Sequence, residues 1–368
     1  MQVSSIPKLT YFRGRVALCS ILKAMGIGHG DKVATQAFTC LAVPEGIMAS
    51  GARPLYIDIT KEGYTLDTED LKYKICDYTK AIIVQHTFGI PAAILDILEI
   101  AENWGIPVIE DCCHTLTSKV HGQNVGTYGT AAFYSYEWGK PIVAGIGGSV
   151  RVLCPELQER LEHQYQTLTR PSLITQLKLE AQYLAYWALY RPAWYWRLKK
   201  IFHRSAKLGV AQGNYNVIPE NEDASSDFST LMAPRFRRRL GRALNSVEQH
   251  ANHARHVVSQ YRLGINSSEV MHPENDEESE TTFARYPLRV NDKARMIANA
   301  SQQGIELAEW YNTAIHPLEH HLAGSVNYQL DSCPRAQQRS SEIVSLPTHR
   351  RVTDRYIDRA VEFLQEVA

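Results

Sequence analysis

The sequence predicts an α/β protein with a mostly parallel sheet, flanking helices and a small C-terminal α+β domain. From Val16 to about Val152, short apolar runs alternate with helical patterns, which is typical of βαβ units in a parallel sheet. Residues 153–270 favour helix, and from Thr282 onward a strand, a helix, an irregular segment and a final helix follow. A length of 368 residues suits one large domain with a smaller one attached.

The predicted elements are short and bounded by turn residues. Strands rich in β-branched or aromatic residues are expected at Lys32 to Thr35, Pro54 to Ile59, Ala81 to Gln85, Pro107 to Asp111, Ala131 to Tyr136, Gly148 to Val152 and Ala284 to Val290. Helices are expected at Val16 to Met25, Leu41 to Ala49, Thr68 to Tyr73, Ala93 to Trp104, Asp292 to Gln303 and Val352 to Val367. We expect a large domain over 1–230, with an aromatic helical insertion near 171–209. The second part, 231–368, holds an arginine-rich helix and the small domain.

Composition excludes several classes of protein. The chain carries 39 basic and 39 acidic residues, which argues against nucleic-acid binding as its main role. Its 44 % hydrophobic and 21 % charged residues exclude disordered, collagen-like and coiled-coil chains. The 7 cysteines form no CxxC pair, so neither a disulfide framework nor a zinc ribbon is expected. This cysteine usage predicts a cytoplasmic protein. No basic segment precedes an apolar run at the start, and no long apolar run occurs elsewhere, so neither a signal peptide nor a membrane-spanning helix is expected.

Residues that follow the carboxyl ends of the strands are the candidates for chemistry, because ligands of open α/β sheets bind there. Three features stand out: Gly14 at a helix start, Asp111 at a strand end, and Lys140 followed by glycines up to Gly147-Gly148. Pyridoxal phosphate needs a lysine amine to form an imine with its aldehyde, an acid against its pyridine nitrogen, and a helix N-terminus for its phosphate. These three features together indicate that cofactor.

The stretch from Arg13 to Val152 resembles the DegT/DnrJ/EryC1/StrS aminotransferases, the sugar aminotransferase branch of fold type I. The motifs that carry the resemblance are Gly28-His29-Gly30-Asp31-Lys32-Val33, Ala37-Phe38-Thr39, Gly51-Ala52-Arg53-Pro54 with Asp58, Thr79-Lys80-Ala81-Ile82-Ile83, Glu110-Asp111, Gly122, Gly126, Gly129, Phe133-Tyr134-Ser135, Lys140 and Gly147-Gly148. Weaker matches follow at Gly304-Ile305, Cys333-Pro334 and Ser345-Leu346-Pro347. The resemblance implies a fold type I pyridoxal phosphate transferase with a mostly parallel, seven-stranded sheet.

The resemblance also implies roles for two charged residues. Lys140 is identified as the catalytic lysine that bonds to the cofactor and moves the proton, a role that calls for partial desolvation. Asp111 is identified as the acid at the pyridinium nitrogen. A surface lysine in a glycine-rich turn and a helix-capping carboxylate are the alternatives, and the coincidence of the motifs disfavours both.

The other implied cofactor-binding residues lie around these two. His114 occupies the position that the family fills with Gln or His, near the phenolic oxygen or the ring of the cofactor; taken alone, a structural histidine is favoured. Ser135 matches the phosphate-binding serine, while Gly14 and Arg15 match the donors at the first helix. Arg15 stands in place of a usual Ser or Thr and would add positive charge to the phosphate seat.

Two departures from the family pattern bear on the site. Cys40 stands where the family stacks an aromatic side chain on the ring of the cofactor. Another residue is therefore expected to pack on that ring here. The Tyr-Asn motif that reaches the partner subunit's phosphate is absent near Met232 to Arg235. One of Arg235, Arg237, Arg238 and Arg239 is a candidate substitute, and a solvated helix face is an equal alternative.

No metal site is expected. Cys112, Cys113 and His114 are potential ligands, but adjacent residues at a strand end project to opposite faces, and no second ligand pair has a suitable spacing.

The segment from Tyr183 to Phe202 is rich in aromatic and basic residues, and Pro192 splits it into two helical pieces. Packing in a dimer interface or in a lid is favoured over peripheral contact with a membrane. The acidic segment from Pro273 to Glu280 is expected to be a solvated loop without function.

The sequence thus predicts a pyridoxal phosphate-dependent aminotransferase that moves an amino group, from a donor such as glutamate, to a nucleotide-linked keto sugar. A homodimer is implied by the resemblance, and nucleic acid is not an expected partner. Two alternatives stay open: amination of a cyclitol or another non-sugar cyclic ketone, and a catalytically silent family member that acts as a scaffold or regulator.

Overall fold

A computed structural model describes residues 6–207, 225–274 and 278–367. The strands are β1 (Thr10–Tyr11), β2 (Lys32–Gln36), β3 (Thr39–Cys40), β4 (Arg53–Ile57), β5 (Thr79–Gln85), β6 (Val108–Asp111), β7 (Lys119–Val120), β8 (Gln123–Asn124), β9 (Ala131–Ser135), β10 (Gly148–Val152), β11 (Val270–Met271), β12 (Ser279–Glu280), β13 (Arg285–Val290), β14 (Ile315–His316) and β15 (Ile343–Pro347). The helices are α1 (Gly14–Ala24), α2 (Ala42–Met48), α3 (Thr68–Lys74), α4 (Ile94–Trp104), α5 (Pro155–Tyr165), α6 (Leu173–Leu189), α7 (Tyr195–Lys207), α8 (Ser225–Phe228), α9 (Pro234–Leu244), α10 (Val247–Gly264), α11 (Lys293–Gln303), α12 (Pro334–Glu342) and α13 (Asp354–Val367).

The large sheet has seven strands in the order β1-β10-β9-β6-β5-β2-β4. Strands β4, β2, β5, β6 and β9 are parallel, whereas β10 and β1 complete the sheet in antiparallel pairing. The predicted α/β fold class is therefore confirmed. Strand β1 was not predicted, because two residues are too short to show an alternating pattern.

Helices cover both faces of this sheet. On strand β5, Ala81 and Ile83 pack into a core with α1, α2 and α5, whereas Ile82 and Val84 pack into a second core with α3 and α4. Successive side chains of a strand point to opposite faces, so a strand buried on both faces is apolar throughout. In such a three-layer arrangement a ligand binds at the carboxyl edge of the strands.

The C-terminal part contains a three-stranded antiparallel sheet in the order β11-β13-β15. Helices α10, α11 and α13 pack on it, and their apolar side chains share one core with residues of the large sheet's loops, such as Phe38 and Phe88. Helix α12 and strand β15 were not predicted. Helix α12 carries few apolar residues, and β15 is a buried run of five residues that alternation cannot reveal.

The described residues between 153 and 270 are mostly helical, as predicted, and the helical run breaks at Pro192 in a short 3-10 turn between α6 and α7. Residues 208 and 209 of the predicted insertion lie outside the described residues. None of the described helices is long and apolar enough to cross a membrane.

The end of the acidic segment is not a free loop, which corrects the prediction. Strand β12 pairs with β7, and the Lys119 Nζ donates to Glu280 Oε2 at 2.9 Å. The His121 N–H also donates to the Glu278 carbonyl. Residues 275–277 of this segment lie outside the described residues.

A buried ion pair joins the small sheet to the end of α6. The Arg285 Nη1 donates to Glu306 Oε1 at 2.9 Å, and the Tyr190 hydroxyl donates to the same oxygen at 2.7 Å. Burial by itself would raise the pKa of Glu306, but the Arg285 guanidinium, with His349 and Tyr190, outweighs it and lowers the pKa from 4.5 to about 2. Glu306 therefore stays ionised in the folded protein.

We expect the Arg285–Glu306 pair to make the free energy of unfolding depend on pH in the acid range. The unfolded chain protonates Glu306 near pH 4.5, whereas the folded protein does so near pH 2, so unfolding takes up a proton between these values. The contribution is complete above pH 4.5 and is lost as the pH falls toward 2. Glu306→Gln should lower the free energy of unfolding at pH 7 by about 3 kcal/mol, since it leaves Arg285 buried without its countercharge.

Urea unfolding at pH 7 and at pH 4 checks this expectation, with the exposed Glu159→Gln as the matched control. The difference between the wild-type protein and Glu306→Gln should shrink at the lower pH. An equal difference at both values would contradict the assignment.

Candidate active site

A cleft lies at the carboxyl ends of the parallel strands and holds about 690 Å³ of empty space, part of it open to solvent. The register of the sheet pairs Gln85 of β5 with Asp111 of β6, and Asp111 with Phe133 of β9. Seven residues singled out from the sequence all line this cleft: Gly14, Arg15, Cys40, Asp111, His114, Ser135 and Lys140. The fold thus brings together residues that are up to 126 positions apart in the chain.

Asp111 and its neighbour Glu110 point to opposite sides of β6. The Glu110 carboxylate accepts hydrogen bonds from the N–H groups of Gly126, Tyr128 and Gly129, and it lies 3.2 Å from His86 Nε2. Glu110 therefore holds the loop after β8 in place, on the side away from the cleft. His86, which also follows a strand end, belongs to this structural group and not to the cleft lining.

His86, Glu110 and Cys112 are close enough together to be considered as metal ligands. However, Glu110 already accepts three backbone hydrogen bonds, and His86 Nδ1 accepts one from the Ala92 N–H. Glu110 and His86 are thus bonded within the protein, so the two residues are explained as part of a buried hydrogen-bonded network.

Asp111 is buried and faces the cleft, with its Oδ1 accepting a hydrogen bond from the Cys113 N–H at 2.9 Å. Burial raises the pKa of the Asp111 carboxyl above its ordinary value, although Cys113 and the Lys140 ammonium act in the opposite direction. A cationic group placed against this carboxylate would restore the ionised form. The acid is thus suited to hold a protonated ring nitrogen.

His114 is a neutral hydrogen-bond donor at the wall of the cleft. Burial, assisted by the nearby Lys140 ammonium, lowers the pKa of His114 well below its ordinary value. Its Nδ1 accepts a hydrogen bond from the Phe88 N–H at 3.1 Å, so the proton of the neutral ring is on Nε2. Nε2 can therefore donate to an oxygen of a bound molecule.

Two tryptophans and a tyrosine of the cleft were not predicted from the sequence: Trp138, Trp310 and Tyr311. The Trp310 ring lies nearly parallel to the His114 ring, with centroids 5.7 Å apart, and the Lys140 Nζ lies 5.5 Å from its centre. Trp310 belongs to the irregular segment after α11, where no periodicity marks a residue as functional. The adjacent pair of aromatic residues at 310 and 311 is the one signal that could have indicated it.

Cys40 lines the cleft at the end of β3, half-buried, and its Sγ accepts a hydrogen bond from the Ala42 N–H at 3.4 Å. A thiol cannot cover an aromatic ring as another ring does. Trp310, on the same cleft wall as His114, is the candidate for that role.

The N-terminus of α1 and Ser135 form one seat for an anion. A Cβ atom on Gly14 would lie 3.1 Å from Ser135 Cβ and 3.5 Å from Cys113 Sγ, so glycine permits this close approach. The first N–H groups of a helix have no partners within the helix and carry partial positive charge. Together with the Ser135 hydroxyl, they provide the donors that a phosphate needs.

The arginines at this seat are already engaged with carboxylates. Arg15, which is buried, donates to Glu45 Oε2 at 2.8 Å and to Asp227 Oδ2 at 3.0 Å. Arg13 donates to the same Asp227 oxygen at 3.1 Å and also pairs with Glu137. The prediction that Arg15 adds charge to the seat therefore needs modification, because its charge is balanced in place.

The four candidate arginines of α9 have separate surroundings. Arg235 and Arg238 are exposed, and Arg237 donates to the Pro7 carbonyl at 3.3 Å. Arg239 donates to the Ala144 carbonyl at 3.2 Å and to Glu180 Oε1 at 2.6 Å. The helix face is thus partly solvated and partly packed against α6. That one of these arginines takes the place of the missing Tyr-Asn motif stays a prediction.

The cleft fits pyridoxal phosphate by the chemistry of its donors. A lysine amine, a buried carboxylate and a helix N-terminus with a serine hydroxyl meet at one edge of a mostly parallel, seven-stranded sheet. These are the groups that the aldehyde, the ring nitrogen and the phosphate of this cofactor require. The fold and the cleft together are those of a fold type I pyridoxal phosphate transferase.

The chain belongs to the DegT/DnrJ/EryC1/StrS aminotransferase family, whose model matches residues 9–172 and 240–365. It is similar to the GDP-perosamine synthase of Escherichia coli O157:H7, with 36% identity over 42% of this chain and 42% of that protein. It is also similar to the L-glutamine:2-deoxy-scyllo-inosose aminotransferase of Streptomyces kanamyceticus, with 32% identity over 41% of this chain and 35% of that protein. The alignments therefore span about two fifths of these curated relatives.

Among solved structures, DesV of S. venezuelae has the same fold, with a TM-score of 0.74 and 20% identity over 97% of this chain and 84% of that one. The agreement extends over nearly the whole chain, so the C-terminal part shares the family architecture too.

We expect Asp111→Asn to stabilise the protein purified without added ligand, by about 1 kcal/mol at pH 7. Because the folded pKa of Asp111 is raised, unfolding releases a proton above the ordinary aspartate pKa, and the carboxyl costs stability as the pH rises. Asparagine keeps an oxygen for the Cys113 N–H but has no charge to bury.

Urea unfolding of both proteins at pH 4 and pH 7 measures this effect, and the exposed Asp77→Asn serves as the control. The gain should be larger at pH 7. A variant that is less stable than the wild-type protein at pH 7 would show that the buried charge is compensated within the cleft.

Proposed function

We propose that this protein is a pyridoxal phosphate-dependent aminotransferase that moves an amino group, from a donor such as glutamate, to a nucleotide-linked keto sugar. The observation that carries the proposal is the meeting of Lys140, Asp111 and the α1 N-terminus around one cleft, in a chain of this family. The nucleotide-linked sugar is supported by the similarity to a protein named GDP-perosamine synthase.

Three groups of this chain would hold the cofactor. Asp111 would bind the ring nitrogen, Ser135 and the N–H groups of α1 would bind the phosphate, and the His114 Nε2–H would donate to the phenolic oxygen. When bound, pyridoxal phosphate supplies an aldehyde that accepts the donor's amino group and a ring that withdraws electrons from the substrate carbon. The burial of Asp111 and His114 keeps water away from these contacts.

Lys140 is the group that would hold and move the proton at its Nζ. The residue is half-buried, and it follows a turn in which Gly139 has a φ of +75°. A Cβ on Gly139 would lie 2.7 Å from the Trp310 ring, so glycine allows the backbone before Lys140 to approach Trp310. The indole ring in turn attracts the charged form of the amine and orients it toward the cleft.

The first experiment tests the lysine. Purified protein with added pyridoxal phosphate should show an absorbance band near the edge of the visible region, because the Lys140 amine bonds covalently to the cofactor. Lys140→Ala should lose that band and lower the rate of amino transfer by at least about a thousandfold.

The exposed lysine variant Lys80→Ala is the matched control and should keep both properties. Absence of the band in the wild-type protein at saturating cofactor would favour the silent scaffold over the enzyme.

A second acceptor class has its own support. The similarity to an aminotransferase named for 2-deoxy-scyllo-inosose makes a cyclitol ketone the alternative substrate. Comparing turnover of keto nucleotide sugars with that of cyclitol ketones, with glutamate and with glutamine as donors, separates the two proposals. We also propose a homodimer with its active sites at the subunit boundary, which light scattering of the purified protein tests.

The carboxylates at the phosphate seat lead to a prediction about affinity. Asp227→Asn keeps an oxygen acceptor for Arg13 and Arg15 but removes one negative charge from the seat. Binding of pyridoxamine phosphate should tighten roughly three- to tenfold, since one charge at this range is worth about 1 kcal/mol.

Fluorescence titration measures the dissociation constants, with Asp77→Asn as the control variant. Pyridoxamine, which lacks the phosphate, should bind both proteins equally. An equal tightening for pyridoxamine would place the effect of Asp227 away from the phosphate.

A further inference from the structure

Exposed apolar side chains are concentrated on α6, α7 and the turn between them. Eight of the 17 large apolar residues that are exposed in the described chain lie between positions 173 and 201, with exposures from 48% to 76%. We call these residues the insertion face: Leu173, Ile174, Leu177, Leu184, Trp187, Leu189, Trp194 and Ile201. Apolar residues scattered singly over a surface are ordinary, but a concentrated patch marks an interaction site.

Helix α6 has an outer side without charge. Ile174, Leu177, Ala181, Leu184 and Ala188 recur at helical spacing and so lie on one side of the helix, where all five are exposed. Of the 17 residues of α6, all of which the structure describes, only Leu179 is buried. The helix thus presents an apolar side outward, opposite the side that carries Leu179.

Exposed basic residues lie on the two helices α7 and α9 that accompany α6. On α7, Arg197, Lys200 and Arg204 are exposed at helical spacing, and on α9 the same is true of Arg235, Arg238 and Arg242. Between residues 173 and 207 the sequence has seven lysines and arginines and a single acid, Glu180. Glu180 itself pairs with Arg239 and Arg235. The surface is therefore strongly positive in a chain that is neutral as a whole.

The insertion face lies outside the two segments that the family model matches. The family model matches residues 9–172 and 240–365, so α6, α7 and the start of α9 lie between the two matched segments.

We propose that the insertion face docks on an anionic lipid surface. Leucine, isoleucine and tryptophan side chains bordered by lysine and arginine are the composition of helices that lie in the membrane interface. Apolar side chains enter the acyl boundary, tryptophan rings favour the headgroup level, and the cations attract anionic headgroups. In this arrangement helix α6 lies along the lipid surface and does not cross it, since no described helix can span a bilayer.

A second copy of this chain is a poorer fit. If the insertion face met itself across a two-fold axis, Arg197, Lys200 and Arg204 of one copy would lie close to the like charges of the other. An anionic surface removes that repulsion and satisfies the same cations. Charge therefore favours lipid over self-association.

Aromatic residues of α6 and α7 pack against the body of the protein next to the cleft. They thereby hold the insertion face at a fixed position relative to the cleft. Tyr183 lies 3.2 Å from a Cβ position on Gly145, and the Tyr186 ring packs on Trp138, which lines the cleft, at 4.7 Å between centroids. The Trp196 Nε1–H donates to the Ile305 carbonyl at 2.7 Å. Docking would thus bring the cleft close to the lipid surface. This inference goes beyond the proposed function and does not depend on it.

Vesicle flotation tests the proposal with the full chain. Vesicles of phosphatidylcholine alone are compared with vesicles that also contain phosphatidylglycerol, at low and at high salt. The wild-type protein should float with the anionic vesicles only, and high salt should reduce its binding. The double variant Leu177→Glu/Leu184→Glu should lower the partition coefficient at least about tenfold.

The control is Leu263→Glu on α10, where the leucine is 74% exposed but lies outside the insertion face. This variant should float like the wild-type protein. Circular dichroism and the cofactor absorbance band show whether each variant is folded, so failure of the docking proposal is separate from failure of the proposed function.

Three outcomes would overturn the proposal. The first is absence of flotation of the wild-type protein on anionic vesicles, and the second is an equal loss of binding in Leu263→Glu. The third is a change from dimer to monomer in the double variant, measured by light scattering, because lost self-association would then account for the effect of the two substitutions. That last result would assign the insertion face to a second copy of the chain.

Discussion

Parallel hydrogen bonding between β5, β6 and β9 sets Gln85, Asp111 and Phe133 side by side, and Ser135 follows on the same face. The cleft exists because these strands end together while helices cover both faces of the sheet. A shift of one residue in β6 would turn Asp111 away and bring Glu110 to the cleft. The three backbone hydrogen bonds to Glu110 hold the register against that shift.

Charge in the cleft is arranged in opposite ways at its two ends. Asp111 is buried and its pKa is raised, so this end favours a cationic ring. At the other end, Arg13 and Arg15 share the carboxylate of Asp227, which follows the long central segment of the chain. Through this shared carboxylate, the seat at the α1 N-terminus is tied to the part of the chain that leads into α9.

The two sides of the insertion have different surroundings. Its inner side reaches the cleft through Tyr186 and reaches the buried Arg285–Glu306 pair through the Tyr190 hydroxyl. Its outer side leaves leucines and tryptophans exposed. Aromatic residues therefore attach the insertion firmly to the body of the protein, and this attachment would couple a docked surface to the position of the cleft.

Sequence patterns predicted the parallel strands, because strands buried on both faces are apolar throughout. The order of motifs indicated Gly14, Asp111 and Lys140, and the resemblance to the family added Arg15, Cys40, His114 and Ser135. Trp310, Asp227 and the engagement of Arg15 required the tertiary structure, since these contacts join segments that no local pattern connects. The same holds for the insertion. Composition showed aromatic and basic residues between 183 and 202, but packing turns the tyrosines inward and leaves every leucine of α6 except Leu179 exposed. Burial depends on the neighbours that the fold supplies, and periodicity within one helix cannot specify those neighbours.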